Sequence, residues 1–138
     1  MGWRRKGIPF PSHQLQIDDH GRGKRSQSTF SSRDHRAHLY EKWDSWVEIN
    51  PETAQKMGIK DGDLIWVESR AGKLKGKARL FPGTNPTCIN IPYGQGHKAY
   101  GRWAKGRGIN PNELLVKEYD HLGGFVTYFS TRVKVYRA

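Results

Sequence analysis

WVEINPETAQKMGIKDGDLIWVES, residues 46–69, reads as strand, helix, tight turn and strand, with each junction marked. Trp46-Val47-Glu48-Ile49 alternates apolar and polar residues, the period-2 pattern of a half-buried strand. Asn50 can cap the next helix, because its side-chain oxygen accepts from free backbone N–H groups. Pro51 follows where a missing N–H costs nothing, and Glu52 places negative charge at the positive end of the helix dipole. Ala54, Met57 and Ile59 supply the buried side, and Gly58 is placed to end the helix in a left-handed conformation. Asp61-Gly62-Asp63 signals a turn. Leu64-Ile65-Trp66-Val67 is then a second strand, apolar enough to lie in the middle of a sheet. A unit of this kind builds compact barrels.

The 138 residues predict one domain with a real core. An apolar content of 35% and a mean hydropathy of −0.84 are low, so a sizeable share of the chain is expected outside that core. No run approaches the roughly 20 apolar residues of a membrane span, so no membrane insertion is expected. Residues 1–11 lack the apolar segment of a secretory signal, and nothing hydrophobic follows Arg4-Arg5. A cytoplasmic location is therefore expected unless a partner carries the chain out. The single Cys88 excludes an internal disulfide or a cysteine metal cluster, and within Cys88-Ile89-Asn90-Ile91 it reads as a buried, inert thiol.

The net charge is +11. Residues 1–44 carry 9 Lys and Arg against 5 Asp and Glu (+4), and residues 45–138 carry 15 against 8 (+7). The charge is thus spread over both halves, and its sign attracts nucleic acid, an acidic partner or a phosphate-bearing cofactor.

Working outward, residues 1–12 form a basic arm broken by Gly and Pro, expected to make few contacts with the barrel. HQLQID, residues 13–18, alternates and is placed as the first strand. GRGKRSQSTFSSRDHR, residues 21–36, has no periodicity and is a loop. It is either plain disorder or a phosphate-facing loop, since hydroxyls, guanidiniums and free N–H groups suit a pyrophosphate. Residues 39–43 are too short to assign. Ser69–Gly72 is a hairpin turn, and KLKGKARLF, residues 73–81, returns as a strand with its basic residues on one face. Residues 82–86 turn the chain again, and residues 88–91 form a short buried strand. In PYGQGHKAYGRWAKGRGINPNELL, residues 92–115, five glycines interleave with Tyr93, His97, Tyr100 and Trp103, allowing close approach of backbone to a ligand. Asn110-Pro111-Asn112-Glu113 repeats the Asn50-Pro51-Glu52 cap and predicts a second short helix. FVTYFSTRVKVY, residues 125–136, alternates as a long closing strand.

These stretches resemble the C-terminal molybdopterin-dinucleotide-binding domain of the dimethyl-sulfoxide-reductase superfamily. The resemblance covers residues 46–138 and rests on WVEINPETA, GIKDGD, ESRAG, GQGH, YGRWAKGRGINPNELL and TRVKV. Within the superfamily it looks closest to polysulfide-reductase-like subunits and to the molybdopterin-type domain of alternative complex III. It implies a mainly β fold over residues 13–138, a six-stranded double-psi β-barrel with short helices. It also implies closure over one molybdopterin guanine dinucleotide of a molybdenum or tungsten cofactor, shared with a larger catalytic subunit. The family's metal-ligating Ser, Cys or selenocysteine belongs to a different domain, so half a cofactor site and no metal ligand are expected.

Position by position, Gly94, Gln95, Gly96 and His97 match the family's loop beside the pterin, although a tight turn with a capped helix would read the same way. Asn110 and Asn112 match Asn positions near the pterin edge, where an amide can meet mixed donors and acceptors; one of the two serves as the cap. Tyr128 falls near a contact before the last strand, or else is core. Arg22, Ser28, Thr29 and Ser31 are the candidates in the first cofactor loop. The loop 21–36, the loop 94–97 and Asn110 with Asn112 are expected to converge on one rim of the barrel.

His35 and His38 beside Asp34, and Asp19-His20, have no second cluster at zinc spacing. No nucleophile-elbow, Walker or Rossmann motif is present, so no catalytic residues of its own are expected. Three functions remain open. One is a cofactor-binding module or small subunit of a molybdenum or tungsten oxidoreductase. Another is a cofactor-free assembly barrel in an electron-transport complex. The third is a basic nucleic-acid-binding barrel, disfavoured because the aromatics, 12% of the chain, sit mostly in patterns that predict burial.

Overall fold

The alternation that marks each strand in the sequence becomes, in three dimensions, a single apolar interior. The structure, a computed structural model, describes residues 13–18, 44–99, 102, 105–127 and 130–138. The basic arm 1–12, the loop 21–36 and residues 39–43 lie outside them. The strands are β1 (His13–Asp18), β2 (Trp46–Ile49), β3 (Leu64–Glu68), β4 (Lys73–Leu80), β5 (Cys88–Pro92) and β6 (Arg132–Arg137). They close into a six-stranded barrel in the order β1-β5-β2-β4-β3-β6. Two pairings are parallel, β1 with β5 and β2 with β4, and the rest are antiparallel. The chain from β2 to β3 therefore passes over β4, and the chain from β5 to β6 passes over β1. These two crossings over intervening strands make it a double-psi barrel.

Leu15, Val47, Ile49, Ile65, Val67, Ile89, Ile91, Val133 and Val135 fill the interior, each 3% exposed or less. Leu74 and Ala78 line it from β4, and Ala54, Ile59 and Leu114 plug it from the crossings. Cys88 is buried, as its apolar setting predicts.

The first crossing contains α1 (Pro51–Lys56). Asn50 caps it, its Oδ1 accepting from Glu52 N–H at 2.9 Å, while its Nδ2 donates to the Thr84 carbonyl at 2.9 Å. Thr53 Oγ1 donates to the Pro86 carbonyl at 2.8 Å, so the helix start is tied to the 82–86 turn. At the other end Gly58 (φ 67°) donates to Gln55 and Ile59 to Ala54, the paired bonds of a Schellman cap. Asp61 Oδ1 then accepts from Leu80 N–H and Gly62 N–H donates to the Ala78 carbonyl, both at 2.8 Å, which fastens the 61–63 turn to β4.

β3 is central, between β4 and β6, as its apolar run predicts; Ile65 and Val67 point inward, and Leu64 is 49% exposed. Two other expectations change. The second capped helix is a single 3-10 turn, Pro111–Glu113. The closing strand is shorter than its alternation implies and begins only at Arg132. Phe125 and Val126 belong instead to a small hairpin whose Tyr119 bridges Val126, and Phe125 is 77% exposed. Gly124 takes φ 69° and the Asp120 carboxylate accepts from the N–H groups of Leu122 and Gly123, so the chain turns before it can extend.

Asn50 both caps and donates, which separates two variants. Asn50→Asp keeps the cap acceptor but loses the donor to Thr84, whereas Asn50→Ala loses both. Thermal unfolding should show Asn50→Ala costing about 2 kcal/mol or more and Asn50→Asp less. A core truncation such as Ile89→Ala should cost about 2–5 kcal/mol.

Candidate functional site

The second crossing, residues 93–131, carries most of the candidate residues. Gly94 (φ 98°) and Gly96 (φ 78°) turn the chain away from the end of β5. Gly96 N–H donates to the Arg107 carbonyl and Gly106 N–H to the His97 carbonyl, each at 2.8 Å. These bonds fold residues 105–109 back along residues 94–98.

The fold-back is packed as closely as backbone allows. A Cβ on Gly96 would stand 2.3 Å from the Asn110 nitrogen and 2.5 Å from the Ile109 carbonyl carbon. A Cβ on Gly108 would meet Gln95 Cβ at 2.6 Å and Ser45 Oγ at 2.8 Å. Ser45, buried just before β2, accepts from Ile109 N–H at 2.7 Å. The Ile109 side chain occupies the space that Gly76 leaves on β4, where a Cβ would lie 3.0 Å from Ile109 Cδ1. The loop is thus seated on the barrel wherever a side chain is missing.

Asn110 is the cap: its Oδ1 accepts from Asn112 N–H at 3.2 Å and from Asn112 Nδ2 at 2.9 Å. Asn112 is exposed, with no donor on its own amide oxygen among the described residues. Lys98 Nζ lies 2.7 Å from Glu113 Oε1, linking the 94–98 loop to the 3-10 turn. With the lysine 81% exposed that pair adds little stability. Gln95 is 7% exposed, and its Nε2 has no hydrogen-bond partner among the described residues. A buried amide donor left unpaired costs about 1–3 kcal/mol, which an acceptor on a ligand would offset.

The structure sets Gly96 against Asn110, with Gly94, Gln95 and His97 on the same loop and Asn112 two residues beyond Asn110. His97 is half-buried, with Lys105 as its bridge partner. Arg22, Ser28, Thr29, Ser31 and Tyr128 lie outside the described residues. Sequence reasoning passed over Ser45 and Gly108, which hold the loop in place. The glycine spacing of Gly106-Arg107-Gly108 was the available signal for the second; nothing local marks Ser45, whose partner is 64 positions away. Among the described residues no group of three or more His, Cys, Asp or Glu could hold a metal.

Gly96 and Gly106 offer a matched comparison. Both have positive φ, but a Cβ on Gly106 would meet nothing within 4 Å. Gly106→Ala should cost about 1 kcal/mol from backbone strain alone. Gly96→Ala should destabilise clearly more in a thermal melt, because Asn110 must move.

Known proteins are similar to this chain. The family described as the molydopterin dinucleotide binding domain matches residues 20–131. The molybdopterin-containing subunit of an arsenate respiratory reductase from Chrysiogenes arsenatis is 42% identical over 85 residues, covering 56% of this chain and 10% of the relative. The molybdopterin-containing subunit of a thiosulfate reductase from Salmonella typhimurium is 40% identical over 87 residues, covering 62% and 12%. The chain therefore spans only about a tenth of the length of these curated relatives. Acetylene hydratase from Pelobacter acetylenicus superposes with a TM-score of 0.65 at 21% identity, over 91% of this chain and 18% of that one, which shows the fold. With the family match extending over most of its length, the chain belongs to the molydopterin dinucleotide binding domain family.

Proposed function

We propose that the chain forms one wall of the site for a single molybdopterin guanine dinucleotide, closing over a cofactor held mainly by a larger molybdopterin chain. The supporting observation is the buried Gln95 amide, whose donor has no partner among the described residues, on a loop that Gly96 and Gly108 set against Asn110 and Ser45. A pterin edge presents alternating donors and acceptors, and side-chain amides supply both kinds of group. Gln95 would donate from inside the loop, Asn112 would accept at its edge, and His97 would add a polar contact between them. Gly94 and Gly96 let the backbone approach. Arg22, Ser28, Thr29 and Ser31 would form the pyrophosphate-facing bank, and Tyr128 a further contact. The net charge of +11 favours the anionic dinucleotide at longer range.

The redox chemistry, with molybdenum or tungsten, comes from the cofactor when bound. This chain's residues bind it, orient it and keep water from its edge. Among the described residues no helix is long and apolar enough to cross a membrane.

The test is cofactor retention in the complex with the larger chain, read as metal content and as guanine nucleotide released on acid treatment. His97→Ala combined with Asn112→Ala removes contacts worth about 1 kcal/mol each, so retention should fall roughly tenfold or more. Both residues lie outside the core, so the melting temperature of the isolated chain should stay nearly unchanged. Unfolding of the double variant would make these residues structural. Full retention would remove them from the site, and a native complex that never holds the cofactor would leave the barrel an assembly element.

A further inference from the structure

Gly76 of the strand KLKGKARL seats the loop above, but the strand's basic side chains play no part in that site. Its alternation turns Leu74, Gly76 and Ala78 inward and Lys73, Lys75, Lys77 and Arg79 outward. The register places Lys75 beside Trp66 and Trp66 beside Tyr136; on the next rung Lys73 faces Glu68, and Glu68 faces Lys134. The outer face of β4, β3 and β6 is therefore a field of cations around two aromatic rings. The Lys73 and Lys75 ammonium groups lie 4.1 and 5.5 Å from the Trp66 ring centre, and that of Lys134 5.5 Å from Tyr136. The acid within this field, Glu68, accepts from the Tyr136 hydroxyl at 3.0 Å.

At one end the face runs into a cleft of about 610 Å³. Lys75, Lys77, Lys105 and Arg107 line it together with exposed Leu64 and, among the described residues, a single carboxylate, Asp44. Like charges two residues apart on one strand repel, and an opposing anionic surface reverses the sign of that interaction.

We propose that this face and its cleft dock a carboxylate-rich segment of the larger molybdopterin chain. The inference rests on the reading that such a chain is the partner, and it identifies the surface used. Three observations favour an acidic protein segment over nucleic acid. Ammonium groups already sit over the Trp66 and Tyr136 rings, where bases would have to stack. Leu64, 49% exposed on the cleft wall, offers an apolar contact that a peptide side chain fills and a phosphate does not. The curated relatives carry about nine tenths of their length outside the matched region, which leaves ample chain to supply the segment.

The experiment uses the full chain, without cofactor, and a fluorescein-labelled peptide of ten glutamates as probe, followed by anisotropy and by backbone amide shifts. Binding should weaken as salt rises, and the shifts should fall on residues 64–68, 73–80 and 105–109. Lys75→Glu with Lys77→Glu should weaken binding by about tenfold or more, with Lys75→Ala/Lys77→Ala as the milder pair if the reversal lowers the melting temperature. Lys56→Glu with Lys60→Glu, exposed but elsewhere, should change it little. Equal losses from both pairs, shifts confined to other surfaces, or tighter binding of a ten-nucleotide single strand would each overturn the proposal. Because cofactor is absent, loss of the dinucleotide reading would leave a positive result here intact, and the reverse holds equally.

Discussion

Six strands of four to eight residues hold together here because the sheet has no edge. β6 lies between β3 and β1, with His13 opposite Val133 and Gln14 opposite Arg132, and that seam turns an open sheet into a ring. An open sheet of such short strands would leave unpaired N–H and C=O groups along two borders. Closure also fixes the interior, since each strand can send only about two apolar side chains inward and the six sets must meet. Everything at the barrel ends inherits this rigidity. Residues 94–98 and 105–109 have little regular structure of their own, yet Ser45, Gly76 and Gly108 hold them against the wall.

The two crossings share a pattern. Each passes over one intervening strand, and each contains an Asn-Pro pair in which the asparagine oxygen accepts an N–H two residues on. The first continues into α1; the second stops after one 3-10 turn. In the first, the second amide function of the cap is spent on structure, with Asn50 Nδ2 bonded to Thr84. In the second, the amide of Asn112 stays at the surface and the Gln95 donor has no partner among the described residues. The same capping chemistry thus stabilises one end of the barrel and leaves polar groups available at the other.

How much of this was legible follows from how local each signal is. The unit from Trp46 to Glu68 was readable because its cap, its left-handed glycine and its turn all act within a few residues. The stretch from Phe125 misled because alternation reports only that a chain is able to extend. Whether it does depends on competition from the Asp120 turn and on which partner strand lies alongside. At the site, Gly94, Gln95, Gly96, His97 and Asn110 were visible as a motif. The contact that fixes them, Gly96 against Asn110, spans fourteen positions, and the Ser45 bond to Ile109 spans sixty-four. Neither leaves any periodicity to detect.

The seam between β1 and β6 also sets an order for biosynthesis. β1 pairs with β5 through Gln14 and Cys88, seventy-four positions apart, and with β6 further still. Contacts so distant along the chain form slowly, because a long loop must close before any of them rewards it. On the ribosome, the unit from β2 to β4 can assemble early from near neighbours, while β1 waits without a partner. The ring is completed only once residues 132–137 have emerged, and until then Leu15 and Ile89 lack the cover that the closed ring gives them.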